Sequence, residues 1–196
     1  MSASAPAEAS ERVTTGETGV TLWFTGLPSA GKSTIAHAVA DRIEAAGQRV
    51  QVLDGDAVRP YLSADLGYSK EARDINVARI GWVARLLASH GVIVLVPVIA
   101  PYAEARDAVR AEHDTASVLY SEVYVSTSLD VAEQRDVKGL YAKARRGEIS
   151  GLTGVDDPYE PPTRAELVID TDVVPLADAV DTTLAYLSAA LGRELR

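Results

Sequence analysis

A three-layer α/β/α fold around a central parallel sheet is predicted by three features of this 196-residue sequence. Apolar, β-branched stretches alternate along the chain with segments of helical spacing, the pattern of right-handed crossovers and parallel strands. Residues 91–96 (Gly-Val-Ile-Val-Leu-Val) are apolar without alternation, as in a strand covered on both faces. Between the first strand and the first helix lies Gly26-Leu27-Pro28-Ser29-Ala30-Gly31-Lys32-Ser33-Thr34. It fits Gly-x-x-x-x-Gly-Lys-Ser/Thr, the loop that wraps a nucleotide's phosphates. The fold class is therefore of the P-loop NTPase type.

The elements follow in order. Residues 20–25 form an apolar strand ahead of the phosphate loop, and 33–46 have helical spacing that stops at Gly47. Residues 48–53 read as a second strand ending in Asp54-Gly55-Asp56. A long helix is predicted over 71–90, with Val77, Ile80, Val83, Ala84 and Leu87 on one face. After the strand at 91–96, residues 103–113 read as helix and 122–125 as strand. Residues 129–146 read as one helix that is basic towards its end, 166–170 as the last strand and 176–191 as the last helix. Residues 1–18 are rich in Ala, Ser, Glu and Thr, with no apolar signal-peptide core, and read as a mobile tail. Residues 19–196 then form a single domain. Trp23 is expected to pack at the sheet and Trp82 on a helix face.

Composition narrows the function. The net charge of −9 argues against general nucleic-acid binding, which needs an extended basic surface. No apolar run approaches the ~20 residues that span a bilayer. Cysteine is absent, which removes disulfides and thiolate metal sites and is compatible with a cytoplasmic enzyme. An acidic protein that handles anionic nucleotides must concentrate positive charge locally. Arg135, Lys138, Lys143, Arg145 and Arg146 do so, opposed only by Asp136. That run reads equally as a solvated helix face and as an anion-handling lid.

The motif carries its own chemistry. Its glycines let the backbone aim N–H groups at phosphate oxygens, and the following helix adds its positive end. Lys32 can bridge the terminal phosphates of ATP, and the Ser33 hydroxyl can hold Mg²⁺. Ligands on such sheets bind beyond the carboxyl ends of the strands, so the phosphate loop and Asp54-Gly55-Asp56 can share a site. A carboxylate there favours a kinase: Asp54 can take an acceptor hydroxyl's proton or contact the metal, with Asp56 behind it. On its own, Asp-Gly-Asp would be a plain turn. Arg59, Arg73, Asn76 and Arg79 would suit an anionic acceptor through forked hydrogen bonds, or else serve as surface partners of Glu71 and Asp74. His37, His90 and His113 are isolated, lie on predicted helices and suggest no metal site.

With these residues in view the chain resembles the adenylylsulfate kinases, which use MgATP to phosphorylate the ribose 3′-hydroxyl of adenosine 5′-phosphosulfate. The resemblance spans about 19–191. It rests on the phosphate loop, Asp54-Gly55-Asp56-x-x-Arg59, Asp65-Leu66-Gly67-Tyr68 and Arg73-x-x-Asn76. Further on come Pro101-Tyr102, Lys138-Gly139-Leu140-Tyr141-Ala142-Lys143-Ala144-Arg145, Gly147-Glu148-Ile149, Thr153-Gly154 and Pro158-Tyr159-Glu160. It implies that Asp54 and Lys32 are catalytic and that Ser33 and Asp54 hold the metal. The donor nucleotide would lie on Gly26, Ser29, Ala30, Gly31, Lys32, Ser33, Thr34, Arg135 and Lys138. The acceptor would lie on Asp56, Arg59, Tyr68, Arg73, Asn76, Ile99, Ala100 and Leu152, with Tyr68 stacking on its adenine. A homodimer is implied, with a helical lid at about 136–156 that closes over both nucleotides to exclude water.

The chain departs from the family on the acceptor side. It has Ala57 where Asn is usual, Ala78 and Ala103 where Arg is usual, and Ala100 at a position that is Ser in some members. In the lid, Ser150 and Leu152 replace a Lys and a Phe that lie against the acceptor. Three functions follow: an adenylylsulfate kinase, a 3′-hydroxyl kinase of another 5′-modified nucleotide, and an idle nucleotide-binding module serving a sulfurylase-type partner.

Overall fold

The computed structural model describes residues 19–195; the tail expected at 1–18 lies outside them. Strands β1 (Val20–Thr25), β2 (Val50–Val52), β3 (Ile93–Pro97), β4 (Leu119–Ser126) and β5 (Leu167–Asp170) form one sheet in the order β2-β3-β1-β4-β5. Every pairing is parallel, and β1 lies centrally, with Trp23 opposite Val96 on one side and Glu122 on the other. Period-two alternation explains how such apolar strands serve two cores. Val20, Leu22, Phe24, Ile93, Leu95, Val123 and Val125 face helices α1 (Lys32–Ala45) and α7 (Leu176–Leu191). Trp23, Val94, Val96 and Tyr120 face α3 (Lys70–Ala88) and α4 (Ala103–Thr115), which contribute Val77, Ile80, Ala84 and Val109. Trp23 is fully buried, whereas Trp82 is 53% exposed on α3.

Two elements differ from the sequence reading. Asp54 opens a helix, α2 (Gly55–Leu62), that the sequence reading did not include: its Oδ1 accepts the Asp56 backbone N–H at 3.0 Å, an N-cap. Gly55 and the in-helix Pro60 obscured that helix. The single helix expected at 129–146 is two, α5 (Leu129–Arg135) and α6 (Leu140–Arg145). The chain breaks where Asp136 and Gly139 take positive φ of 24° and 66°. The Asp136 carboxylate then accepts the Tyr141 and Ala142 N–H groups at 3.1 and 2.9 Å, so the acidic exception in the basic run starts α6. Among the described residues no helix is long and apolar enough to cross a membrane.

Candidate active site

The phosphate loop leaves β1 against β4. A Cβ on Gly26 would stand 2.4 Å from the Val125 carbonyl oxygen, so only glycine lets the chain pass. Ser29 and Gly31 take positive φ of 61° and 101°, curling the loop before α1 begins at Lys32. The Lys32 ammonium is folded onto the loop itself, donating to the carbonyls of Gly26 (3.0 Å) and Leu27 (2.7 Å). Burial pulls its pKa down to about 7; Asp56 and Asp54 oppose that shift and Lys138 adds to it. The Ser33 hydroxyl donates to Asp54 Oδ2 at 2.5 Å, so the carboxylate that caps α2 also reaches the loop. Two hard oxygen donors meet there, the chemistry Mg²⁺ takes. Among the described residues no group of three His, Cys, Asp or Glu could hold a metal unaided, so phosphate oxygens and water would have to complete its shell.

A cleft of about 490 Å³ opens over the loop. Ser29, Ala30, Gly31, Lys32, Ser33 and Thr34 line it, and so do Asp56, Arg59, Tyr68, Arg73, Asn76, Ile99, Ala100, Arg135 and Lys138. The fold thus gathers fifteen of the predicted site residues, from five separate stretches of chain, at the carboxyl edge of the sheet. Gly26 lies beneath the loop, and Asp54 joins the site through Ser33.

Several of these side chains already hold one another. The Arg59 guanidinium lies 4.3 Å over the Tyr68 ring and donates to the Gly67 carbonyl. Arg73 donates to the Tyr68 carbonyl (2.9 Å), Thr153 Oγ1 (3.0 Å) and the Gly151 carbonyl (2.5 Å), tying α3 to the segment after α6. Asn76 Oδ1 is buried without a hydrogen-bond partner, an acceptor available to a ligand. Arg79 turns away and forks onto Asp65 at 2.6 and 2.9 Å, the surface pairing that was its alternative reading, though with a different carboxylate. The basic run divides: Lys138 pairs with Asp56 and Arg135 faces the cleft, while Arg145 and Arg146 pair with Glu133 and Glu148.

Leu152 is placed elsewhere than expected. It is 8% exposed in a small cluster with Ala132 and Tyr141, joined by Leu27, Leu129 and Val155, and does not line the cleft. An apolar side chain of that size gains more from this satellite core than from the rim. Ser150 is exposed. Tyr141, fully buried there, donates its hydroxyl proton to the Pro28 carbonyl at 3.1 Å and pins α6 to the phosphate loop.

Sequence reasoning missed the far wall: Thr171, Val174, Leu176 and Ala179, after β5, also line the cleft. Thr171 Oγ1 donates to the Ala30 carbonyl (2.9 Å) and accepts from Arg135 Nη1 (3.0 Å), while Arg135 Nη2 donates to the Thr171 carbonyl (2.6 Å). The strand-end rule applied to β1 and β2 would have pointed to this loop had it been extended to β5.

A P-loop strung on this strand order, with the carboxylate that follows β2 reaching past β3 to its serine, defines the protein as a P-loop phosphotransferase. Comparison with known proteins narrows the class. The family model for adenylylsulphate kinase matches residues 18–170. The chain is 52% identical over 175 residues to an adenylyl-sulfate kinase of Chloroflexus aurantiacus, spanning 89% of this chain and 92% of that protein. The structure of the Mycobacterium tuberculosis APS kinase CysC in complex with AMPPNP and APS is similar at TM-score 0.86 and 42% identity, over 88% of this chain and 99% of that one. A hexameric APS kinase from Thiobacillus denitrificans is similar at TM-score 0.67 and 36% identity, covering 91% of this chain and 30% of that one. The protein belongs to the adenylylsulphate kinase family.

Proposed function

We propose that the protein transfers the γ-phosphoryl group of ATP to the ribose 3′-hydroxyl of adenosine 5′-phosphosulfate, giving 3′-phosphoadenylylsulfate. The observation that carries this is a single cleft in which the phosphate loop and the Arg73/Asn76 wall meet, with the Ser33–Asp54 pair beside the loop. Its family membership and its likeness to a relative solved with AMPPNP and APS supply the substrates.

In this reading the P-loop amides and Lys32 hold the donor phosphates, and a phosphate oxygen restores to Lys32 the charge that burial disfavours. Arg135 and Thr171 flank the donor, and Lys138 closes on it from the lid. Ser33 and Asp54 would hold Mg²⁺, which when bound would neutralise negative charge on the donor's phosphates. Asp54 accepts the proton of the 3′-hydroxyl. Arg73, Asn76 and Arg59 hold the anionic acceptor, with Tyr68 beside its base and the 99–101 segment as the facing wall. The lid at about 136–156 excludes water, because hydrolysis competes with transfer. We assign residues 19–196 to one domain acting in the cytoplasm as a homodimer. Ile75 and Trp82, two turns apart on α3 and both exposed, offer a surface for pairing.

A coupled assay with ATP and adenylylsulfate tests the reading. Turnover by the wild type should be abolished in Asp54→Ala; wild-type turnover no greater than that variant's would sink it.

A further inference from the structure

Arg106 is a buried cation outside the cleft. It is 3% exposed on α4, and each of its three donor nitrogens is used at 2.7 Å. Nε donates to Glu122 Oε1 on β4, Nη1 to the Ala100 carbonyl and Nη2 to the Glu160 carbonyl. The first bond balances charge; the other two go to backbone. A buried ion pair is weak evidence of stabilisation, since apolar replacements of similar volume often serve as well. The planar fork does what an apolar side chain cannot: it sets two carbonyls from distant segments at a fixed separation.

Both segments border the acceptor side. Ile99, Ala100 and Pro101 line the cleft, and Ala100 holds a φ of 42°, a conformation that a residue with a Cβ keeps only when its surroundings impose it. Thr25 Oγ1 donates to the Ile99 carbonyl at 2.7 Å and lies 3.0 Å from the Tyr159 hydroxyl. Glu160 closes the ring: its N–H donates to the Pro101 carbonyl (2.9 Å) and its carboxylate accepts the Ala103 N–H (2.7 Å). Three residues upstream, Asp157 accepts from Tyr102 (2.7 Å) and Thr153 (3.3 Å), and Thr153 accepts from Arg73. The clamp on Glu160 is therefore continuous with the root of the lid.

We propose that Arg106 is a positioning residue for the acceptor: its fork holds the 99–101 wall and the returning end of the lid in one geometry. The role rests on the acceptor site proposed above. Arg106 touches neither nucleotide and acts through the backbone of Ala100 and Glu160.

Arg106→Lys tests it, because lysine keeps the cation for Glu122 but cannot fork; Arg106→Met removes both. Steady-state kinetics should show the KM for adenylylsulfate raised about tenfold or more in Arg106→Lys, since small misplacements near a reacting group are costly. The KM for ATP should stay within about twofold, because the phosphate loop makes no contact with the fork. Hydrogen exchange on the ligand-free protein reads the clamp without any acceptor. The Ala103 and Glu160 amides should exchange faster in Arg106→Lys, with the phosphate loop unchanged. If Arg106→Met fails to fold, Arg106→Lys decides alone. Unchanged exchange at both amides, or both KM values moving together, overturns the proposal. A wild type inert towards adenylylsulfate but with the predicted exchange change would instead overturn the acceptor's identity and leave the clamp standing.

Discussion

Gly81→Ala is the substitution for which the structure makes the sharpest forecast. Gly81 lies inside α3, where alanine should gain about 1 kcal/mol in helix propensity. Packing opposes it. A Cβ at Gly81 would stand 2.7 and 2.9 Å from the two γ-methyl carbons of Val109 on α4, where carbon atoms prefer about 3.5–4.0 Å. Val109 is 2% exposed and packed within the second core. Overpacking of that kind costs about 1–3 kcal/mol, so the clash should win by roughly 1 kcal/mol. For a chain of this size that lowers Tm by about 2–4 °C. Val109→Ala alone should cost about 2 kcal/mol for two lost methyls and the space they leave. Combined with Gly81→Ala it removes the clash of about 2 kcal/mol, so the double variant should be more stable than the sum of the singles by about that amount. Urea unfolding of the four proteins measures this. Since α3 carries Arg73 and Asn76 and α4 carries Arg106, Gly81→Ala should also raise the acceptor KM and spare that of ATP. A Gly81→Ala protein more stable than wild type, or additivity within about 0.5 kcal/mol, refutes the reasoning.

Two further outcomes are expected. His113 is fully buried, its Nδ1–H donating to the Val109 carbonyl (2.8 Å) and its Nε2 accepting from the Thr21 hydroxyl (2.9 Å). Burial holds its pKa below the ordinary value of 6.5. The unfolded chain therefore takes up a proton that the folded one refuses, and stability is lost as pH falls from about 6.5 towards the depressed folded pKa. His113→Gln should flatten the unfolding free energy against pH over that window; an identical profile would contradict it. Arg135→Ala should raise the KM for ATP about tenfold, the value of a charge-assisted hydrogen bond, with the acceptor KM unchanged; an acceptor-side effect instead would move Arg135 out of the donor's surroundings.

Much of the site was legible because its signals are local. Gly26 to Thr34 is contiguous, and its conformation depends on a few residues whose chemistry admits little else. Asp54 was legible because it closes a strand at the sheet edge that the loop shares. Leu152 was misplaced because its partners, Ala132 and Tyr141, lie 20 and 11 residues away, beyond any pattern of period 2 or 3.6. The break at 136–139 was hidden because helical spacing continues across it, while left-handed backbone at Asp136 and Gly139 does not advertise itself in hydrophobicity.

Periodicity and the phosphate loop determined, without coordinates, the parallel α/β class, the grip on a nucleoside triphosphate and a carboxylate at the end of the second strand. Those are properties of short stretches, set by side-chain alternation and by glycine at forced backbone positions. Only the tertiary structure decided that Thr171 joins Ala30 and Arg135, that Arg73 reaches the lid, and that Arg106 draws Ala100 and Glu160 together. Each of those contacts spans 36 to 141 residues except the six between Arg106 and Ala100, and each depends on which strands lie side by side. Sheet order arises from the whole chain's burial of apolar surface, so it is not written in any one segment.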